Sequence, residues 1–99
     1  MTDIVKLVVH IRTQSGKANQ QVQAFKELAG LVRAEAGCLQ YDLHQVIGEP
    51  DQFLLFETWA SQAALVTHQQ SAHMRKAAID NQQFRDGAAT ITFINEVMV

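Results

Sequence analysis

Two histidines, a tryptophan and a glutamate crowd into one stretch of this 99-residue chain, from Phe53 to Ala78 (FLLFETWASQAALVTHQQSAHMRKAA). It reads as a strand ending in Glu57-Thr58-Trp59, a helix reaching His68, and a second helix opening at His73. The two imidazoles therefore flank a helix break, with an indole and a carboxylate at the end of the preceding strand. A neutral imidazole, with an ordinary pKa of about 6.5, is a natural acceptor for a phenolic or enolic proton. An indole supplies a flat apolar wall and one N–H donor. Together these groups suit an aromatic-binding pocket that carries its own base. His68 and His73 are the candidate catalytic residues, and Trp59 is the candidate wall.

Side chains alternate along a strand, so Leu55, Glu57 and Trp59 share one face. A hairpin folded about Gly48–Asp51 puts Asp42 opposite Glu57 to within one residue of register, with His44 two residues further along. Leu55, Glu57, Trp59, Asp42 and His44 form the expected substrate-contacting set. Two carboxylates that close would split their pKa values, one of them rising. The same residues also have a structural reading. His68 would then be part of an inner helix face, His73 a solvated helix start, Trp59 a core side chain, and the acids an exposed edge pair. His10 and His44 add two strand imidazoles, but no HxxxH or HxH spacing supports a metal site. No GxGxxG, P-loop, GxSxG or CxxC motif is present, so the expected cofactor set is empty.

The elements that hold these groups alternate in period. Ile4–Ile11 is a β-branched run of strand length. From Lys17 to Ala36 the apolar positions Val22, Phe25, Leu28, Ala29, Val32 and Ala36 recur at threes and fours, which is one helical face. Gly37 is placed to close that helix in the left-handed region. Cys38–Ile47 returns to strand period, Gly48–Asp51 is a turn, and Phe53–Trp59 is the next strand. Ser61 caps one helix, and Ser71 caps another running to about Phe84. Asp86-Gly87 is a turn, and Ala89–Val97 closes as a strand. The order βαββαβ is the ferredoxin-like α+β arrangement, an antiparallel four-stranded sheet with helices on one face, and residues 1–99 read as one domain.

Composition narrows the partners. The chain is 47% hydrophobic and only 18% charged. A domain of this size buries only roughly 60–70% of its unfolded surface. The segments Val5–Val9, Leu54–Phe56 and Ile91–Ile94 are apolar on both sides, so a second copy packed sheet to sheet is the expected cover. A net charge of −2 gives no basic footprint for nucleic acid or anionic membrane. A single cysteine, Cys38, allows no internal disulfide. With no visible signal peptide or membrane-length apolar run, a cytoplasmic protein is expected.

Two blocks carry a family resemblance. Glu35-Ala36-Gly37-Cys38-Leu39-Gln40-Tyr41-Asp42-Leu43 resembles the E-x-G-C-x-x-Y-x-L segment of the antibiotic biosynthesis monooxygenase family. Glu57, Trp59, Ser61, Ala64, Leu65, His68 and His73 resemble its E-x-W-x-S-x-x-A-L-x-x-H-x-x-x-P-H block, closest to the quinol monooxygenase-like branch. Ala72 stands where a proline commonly precedes the second histidine. The resemblance implies a dimeric α/β barrel of two protomers joined sheet to sheet. It also implies a pocket between sheet and helices, and oxidation of quinol- or anthrone-type substrates by O2 without flavin, metal or haem. In that family Trp59 matches a pocket tryptophan. The haem-degrading branch has its iron ligand where this chain has Ala78, which speaks against haem.

The leading expectation is a homodimeric, cofactor-independent monooxygenase of a small phenolic aromatic, with O2 as co-substrate. The rivals are a non-catalytic module that holds or senses a small aromatic under stress, and a cofactor-free isomerase of a small signalling metabolite.

Overall fold

The computed structural model describes residues 3–99. Four strands form one antiparallel sheet in the order β2-β3-β1-β4: β1 (Val5–Arg12), β2 (Cys38–Val46), β3 (Glu49–Trp59) and β4 (Thr90–Ile94). Between them lie α1 (Ala18–Arg33), α2 (Gln62–Gln69) and α3 (Ala72–Asn81). The ferredoxin-like α+β architecture expected from the sequence is present, with the second helical segment divided into α2 and α3. None of the helices is long and apolar enough to cross a membrane.

Strand alternation sorts the side chains onto two faces. Leu7, Val9 and Ile11 of β1 and Phe53, Leu55 and Trp59 of β3 are buried against Ala29 and Val32 of α1 and Leu65 of α2. That layer is the core. Phe25 of α1 extends it by stacking on the buried Tyr41 of β2, with ring centroids 5.6 Å apart. The opposite, helix-free face carries Val8, Leu54, Phe56 and Ile94 among Lys6, His10, Asp42 and His44. It is more polar than the sequence pattern suggests, because Lys6, His10 and Arg12 of β1 and Gln40, Asp42 and His44 of β2 lie on that side.

Several boundaries differ from the sequence reading. The β2–β3 turn is tighter: β3 begins at Glu49, so Pro50 and Asp51 lie in the strand and Gly48 turns at φ 84°. β4 ends at Ile94 rather than Val97, and α3 stops at Asn81. α1 ends at Arg33, which frees Glu35 from helical geometry. Its side chain can then turn toward α2 and α3.

Gly37 follows, at φ 84°, and its carbonyl accepts from Ala60 N–H at 2.8 Å. A Cβ on Gly37 would sit 2.6 Å from the Ala64 Cβ. Both the backbone angle and the space demand glycine. Gly37→Ala is therefore expected to cost about 2–4 kcal/mol of stability, through left-handed strain and a steric clash against α2. Thermal or denaturant unfolding of the variant checks this; a loss of under 1 kcal/mol (roughly the cost of an ordinary mutation) would show that the loop can move aside.

Candidate functional site

Ser61 and Ser71 build the local frame. Ser61 Oγ caps α2 by accepting from Ala64 N–H at 3.1 Å, and Ser71 Oγ caps α3 by accepting from Met74 N–H at 3.3 Å. Ser71 Oγ–H also donates to the His68 carbonyl at 2.7 Å, which locks the end of α2 to the start of α3. These caps do the work a proline before His73 would do, so Ala72 does not loosen the helix start. The outcome is that His68, in the last turn of α2, and His73, in the first turn of α3, face the same point.

That point is Glu35. Its Oε2 accepts from His68 Nδ1–H at 2.8 Å and from His73 Nε2–H at 2.8 Å. An ionised carboxylate only accepts, so Glu35 fixes a proton on each of those nitrogens and leaves His68 Nε2 and His73 Nδ1 as the lone-pair atoms. His68 is 2% exposed. Its ring lies 4.5 Å from the Trp59 ring and meets Tyr41 edge-on at 5.8 Å. On its other side, His68 Nε2 is 3.8 Å from Glu57 Oε1, which itself accepts from Trp59 Nε1–H at 3.0 Å. One imidazole is therefore held between two carboxylates.

A cavity of about 330 Å³ opens beside this cluster, between the sheet and the helices. Its floor is Leu7, Val9, Ile11, Leu43 and Leu55, and its walls include Phe25, Tyr41, Leu65, His68, His73 and Met74. A mostly apolar hollow with a few convergent polar groups at one end is the usual form of a small-molecule site.

The sequence-predicted residues divide. His68, His73, Glu57 and Leu55 come together at the cavity. Trp59 does not line it: fully buried, it lies one layer back, where it supports His68 and donates to Glu57. Asp42 and His44 are a correction. Glu57 pairs with Tyr41, and Asp42 pairs with Phe56, because the tighter turn and a bulge between Gln45 and Val46 together set the register one residue from the expected one. A one-residue slip turns a side chain to the other face. Asp42 instead meets Arg33 Nη2 at 3.1 Å, and His44 packs edge-on against Phe56 on the helix-free face.

Glu35 had no predicted role. Its sequence signal was its place as the opening glutamate of the E-x-G-C-x-x-Y-x-L block, two residues before Gly37. Glu35, His68 and His73 are also the one grouping of metal-ligand type among the described residues, with donor atoms within 4.8 Å of one another. Spacing along the chain does not show it, because 33 residues separate Glu35 from His68.

Burial pushes the Glu57 carboxyl above its ordinary range, while the Trp59 N–H and His68 pull it back down. A carboxyl raised on folding costs nothing while it is protonated in both states. It destabilises the fold once pH passes its unfolded value of about 4.3, and increasingly so until it ionises in the folded state. Glu57→Gln keeps an acceptor for the indole and removes that penalty. Its stability relative to the native protein should be near zero at pH 4, grow as pH rises, and level off once native Glu57 has ionised. Unfolding midpoints measured from pH 4 to 8 test the sign; a gain that shrinks with rising pH would contradict it.

The comparisons with known proteins agree with this architecture. A family model described as antibiotic biosynthesis monooxygenase matches residues 4–79. A Bacillus subtilis (strain 168) protein named "Putative monooxygenase YcnE" is 31% identical over 72 residues, spanning 73% of this chain and 76% of that protein. The crystal structure of PA3566 from Pseudomonas aeruginosa superimposes with a TM-score of 0.89 at 31% identity, over 99% of this chain and 98% of that one. Rv0793 from Mycobacterium tuberculosis, at 20% identity, shares the fold with a TM-score of 0.85 over 97% of each chain. With its match running through both helices of the site, the chain belongs to the antibiotic biosynthesis monooxygenase family.

Proposed function

We propose that this protein oxidises a quinol, anthrone or related phenolic aromatic with O2, using its own side chains and no cofactor. The observation that carries this reading is the carboxylate-bridged histidine pair at the end of an apolar cavity. O2 reacts with the electron-rich anion of such a substrate, not with the neutral phenol. The enzyme's task is then to take one proton and keep water from the anion. The 2.8 Å contacts to Glu35 are hydrogen-bond lengths, which supports a proton-holding role for the grouping in this reading.

His68 is the base in this reading. Glu35 orients its ring through Nδ1, leaving Nε2 to accept the substrate proton, and Glu35 and Glu57 offset the charge it gains. His73, more open to solvent, orients the ring at the entrance. For an anthrone, C–H deprotonation gives an anion whose electron pair adds to O2. The resulting peroxide anion takes up a proton returned from His68 and becomes a hydroperoxide. Loss of water then leaves a carbonyl carrying one oxygen atom of O2, the other leaving in the water.

His68→Ala should lower kcat for quinol-dependent O2 uptake by roughly 10²–10⁴-fold. His73→Ala and Glu35→Gln should act in the same direction. Uptake by the native protein should survive dialysis against a chelator. Full activity in the double histidine variant would make the histidines structural and move the proton to another group. Binding of the ring without any O2 uptake would leave a module that only holds the aromatic.

The protein is also proposed to be a homodimer through its helix-free face, where Val8, Leu54, Phe56 and Ile94 form an apolar strip across the three strands β3, β1 and β4. Phe56→Glu, placed in that strip, is expected to shift a sedimenting species of twice the 11.0 kDa chain mass toward the monomer. A monomer for the native protein at micromolar concentration would remove the idea.

A further inference from the structure

The cavity has a second polar end that the chemistry above does not use. Arg85 lies just after α3, where its backbone bridges Thr13 beyond the end of β1. Its N–H donates to the Asn81 carbonyl, and its own carbonyl accepts from Gln14 Nε2–H at 3.2 Å, so its position is fixed from both sides. The side chain turns into the cavity wall, where Nε–H donates at 3.0 Å to Oε1 of the buried Gln21.

Among the described residues no carboxylate lies within ion-pair distance of this guanidinium, and no acceptor takes its terminal nitrogens. The other charged groups around the cavity are engaged elsewhere. Lys76 pairs with Asp80 at 2.7 Å, Glu27 accepts from Gln23 Nε2–H at 3.5 Å, and Glu57 holds the indole N–H. Burial holds Arg85 below its ordinary pKa, the sign of a cation partly removed from water without a counter-ion. Arg85 also borders a second recess, lined by Met74, Ala78, Gln82 and the segment Gly87–Ala89, which adjoins the main cavity.

The two ends start from different positions along β1: Glu57 is paired with Leu7 and Arg85 with Thr13. Both groups also act electrostatically on Tyr41, which lies between them. Side chains from both ends reach toward the apolar floor between them. A fused-ring molecule with its reacting carbon at His68 would extend its far edge toward Arg85.

We propose that Arg85 anchors an anionic substituent, a carboxylate or an equivalent acidic oxygen, on the edge of the substrate remote from the reacting carbon. The inference rests on the cavity being the aromatic site described above. The free edge of the guanidinium presents two parallel N–H donors, the geometry that grips a carboxylate bidentately. Gln21 sets the plane of that edge. The acid of the substrate would replace the missing counter-ion, so its binding recovers part of the cost of burying Arg85. Selection for an acid-bearing aromatic over its neutral analogue follows.

Calorimetric titration with two inert ring probes, anthraquinone-2-carboxylate and anthraquinone-2-carboxamide, separates the possibilities. The native protein should bind the carboxylate at least about tenfold more tightly than the carboxamide. Arg85→Met should reduce that ratio to about two or less while leaving carboxamide binding within about threefold, which also shows that the variant is folded. Arg85→Lys should keep part of the preference, since charge remains and the fork is lost. Equal binding of both probes by the native protein, a preference that survives in Arg85→Met, or no binding of either probe would each overturn the proposal. O2 uptake with quinols is measured separately. A charge preference without turnover keeps the anchor and removes the oxygenase reading, and turnover without a charge preference does the reverse.

Discussion

One carboxylate oxygen, Oε2 of Glu35, accepts from two imidazoles on different helices, and the local structure is arranged around that shared acceptor. It ties together the segment after α1, the end of α2 and the start of α3. Hydrogen bonds to a charged group in a partly dry setting are stronger than neutral ones, and each member of the triple holds the other two in place. Gly37 matters for the same reason. It brings the chain against Ala64 at a distance no side chain would allow, two residues after the glutamate that meets the histidines.

Behind the triple stands a second pair, Glu57 and Trp59, on one face of β3. A buried carboxylate is costly, and here the indole N–H and the neighbouring imidazole offset part of that cost. Trp59 thus does two things at once. Its rings fill the core next to His68, and its single donor satisfies the acid that His68 faces. The tryptophan acts on the site from behind, not from the cavity wall. Truncating it would open a core void and leave Glu57 without its donor, so stability and site geometry are coupled through one side chain.

The cavity itself follows from the helix arrangement. α1 packs mainly over β2 and β3, leaving the helix side of β4 partly uncovered, with Ile91 and Phe93 about half exposed. The gap between sheet and helices is roofed by α1 and α3 and floored by aliphatic strand residues. Its two ends differ in charge: an acid–base cluster at one, an arginine without a counter-ion at the other. An apolar middle between unlike ends fixes the direction in which an aromatic molecule can lie.

Periodicity along the chain was enough to determine the strands and helices, the serine caps and the left-handed glycine, because each of these depends on neighbours a few residues away. The same alternation put Leu55, Glu57 and Trp59 together on one strand face, and the helix break put His68 and His73 near one another. Two blocks of residues carried the family. Tertiary structure decided the rest. The register of β2 against β3 turned on a tighter turn than the glycine–proline sequence suggests and on a bulge between Gln45 and Val46, which together leave Asp42 and His44 on the far face of the sheet. Trp59 moved behind the site because helix packing, not strand alternation, sets which inward side chains meet the cavity. Glu35 and Arg85 join the site across 33 and 64 residues from His68 and Gln21, respectively. No local pattern encodes such contacts, because they arise only when the sheet and helices close on one another.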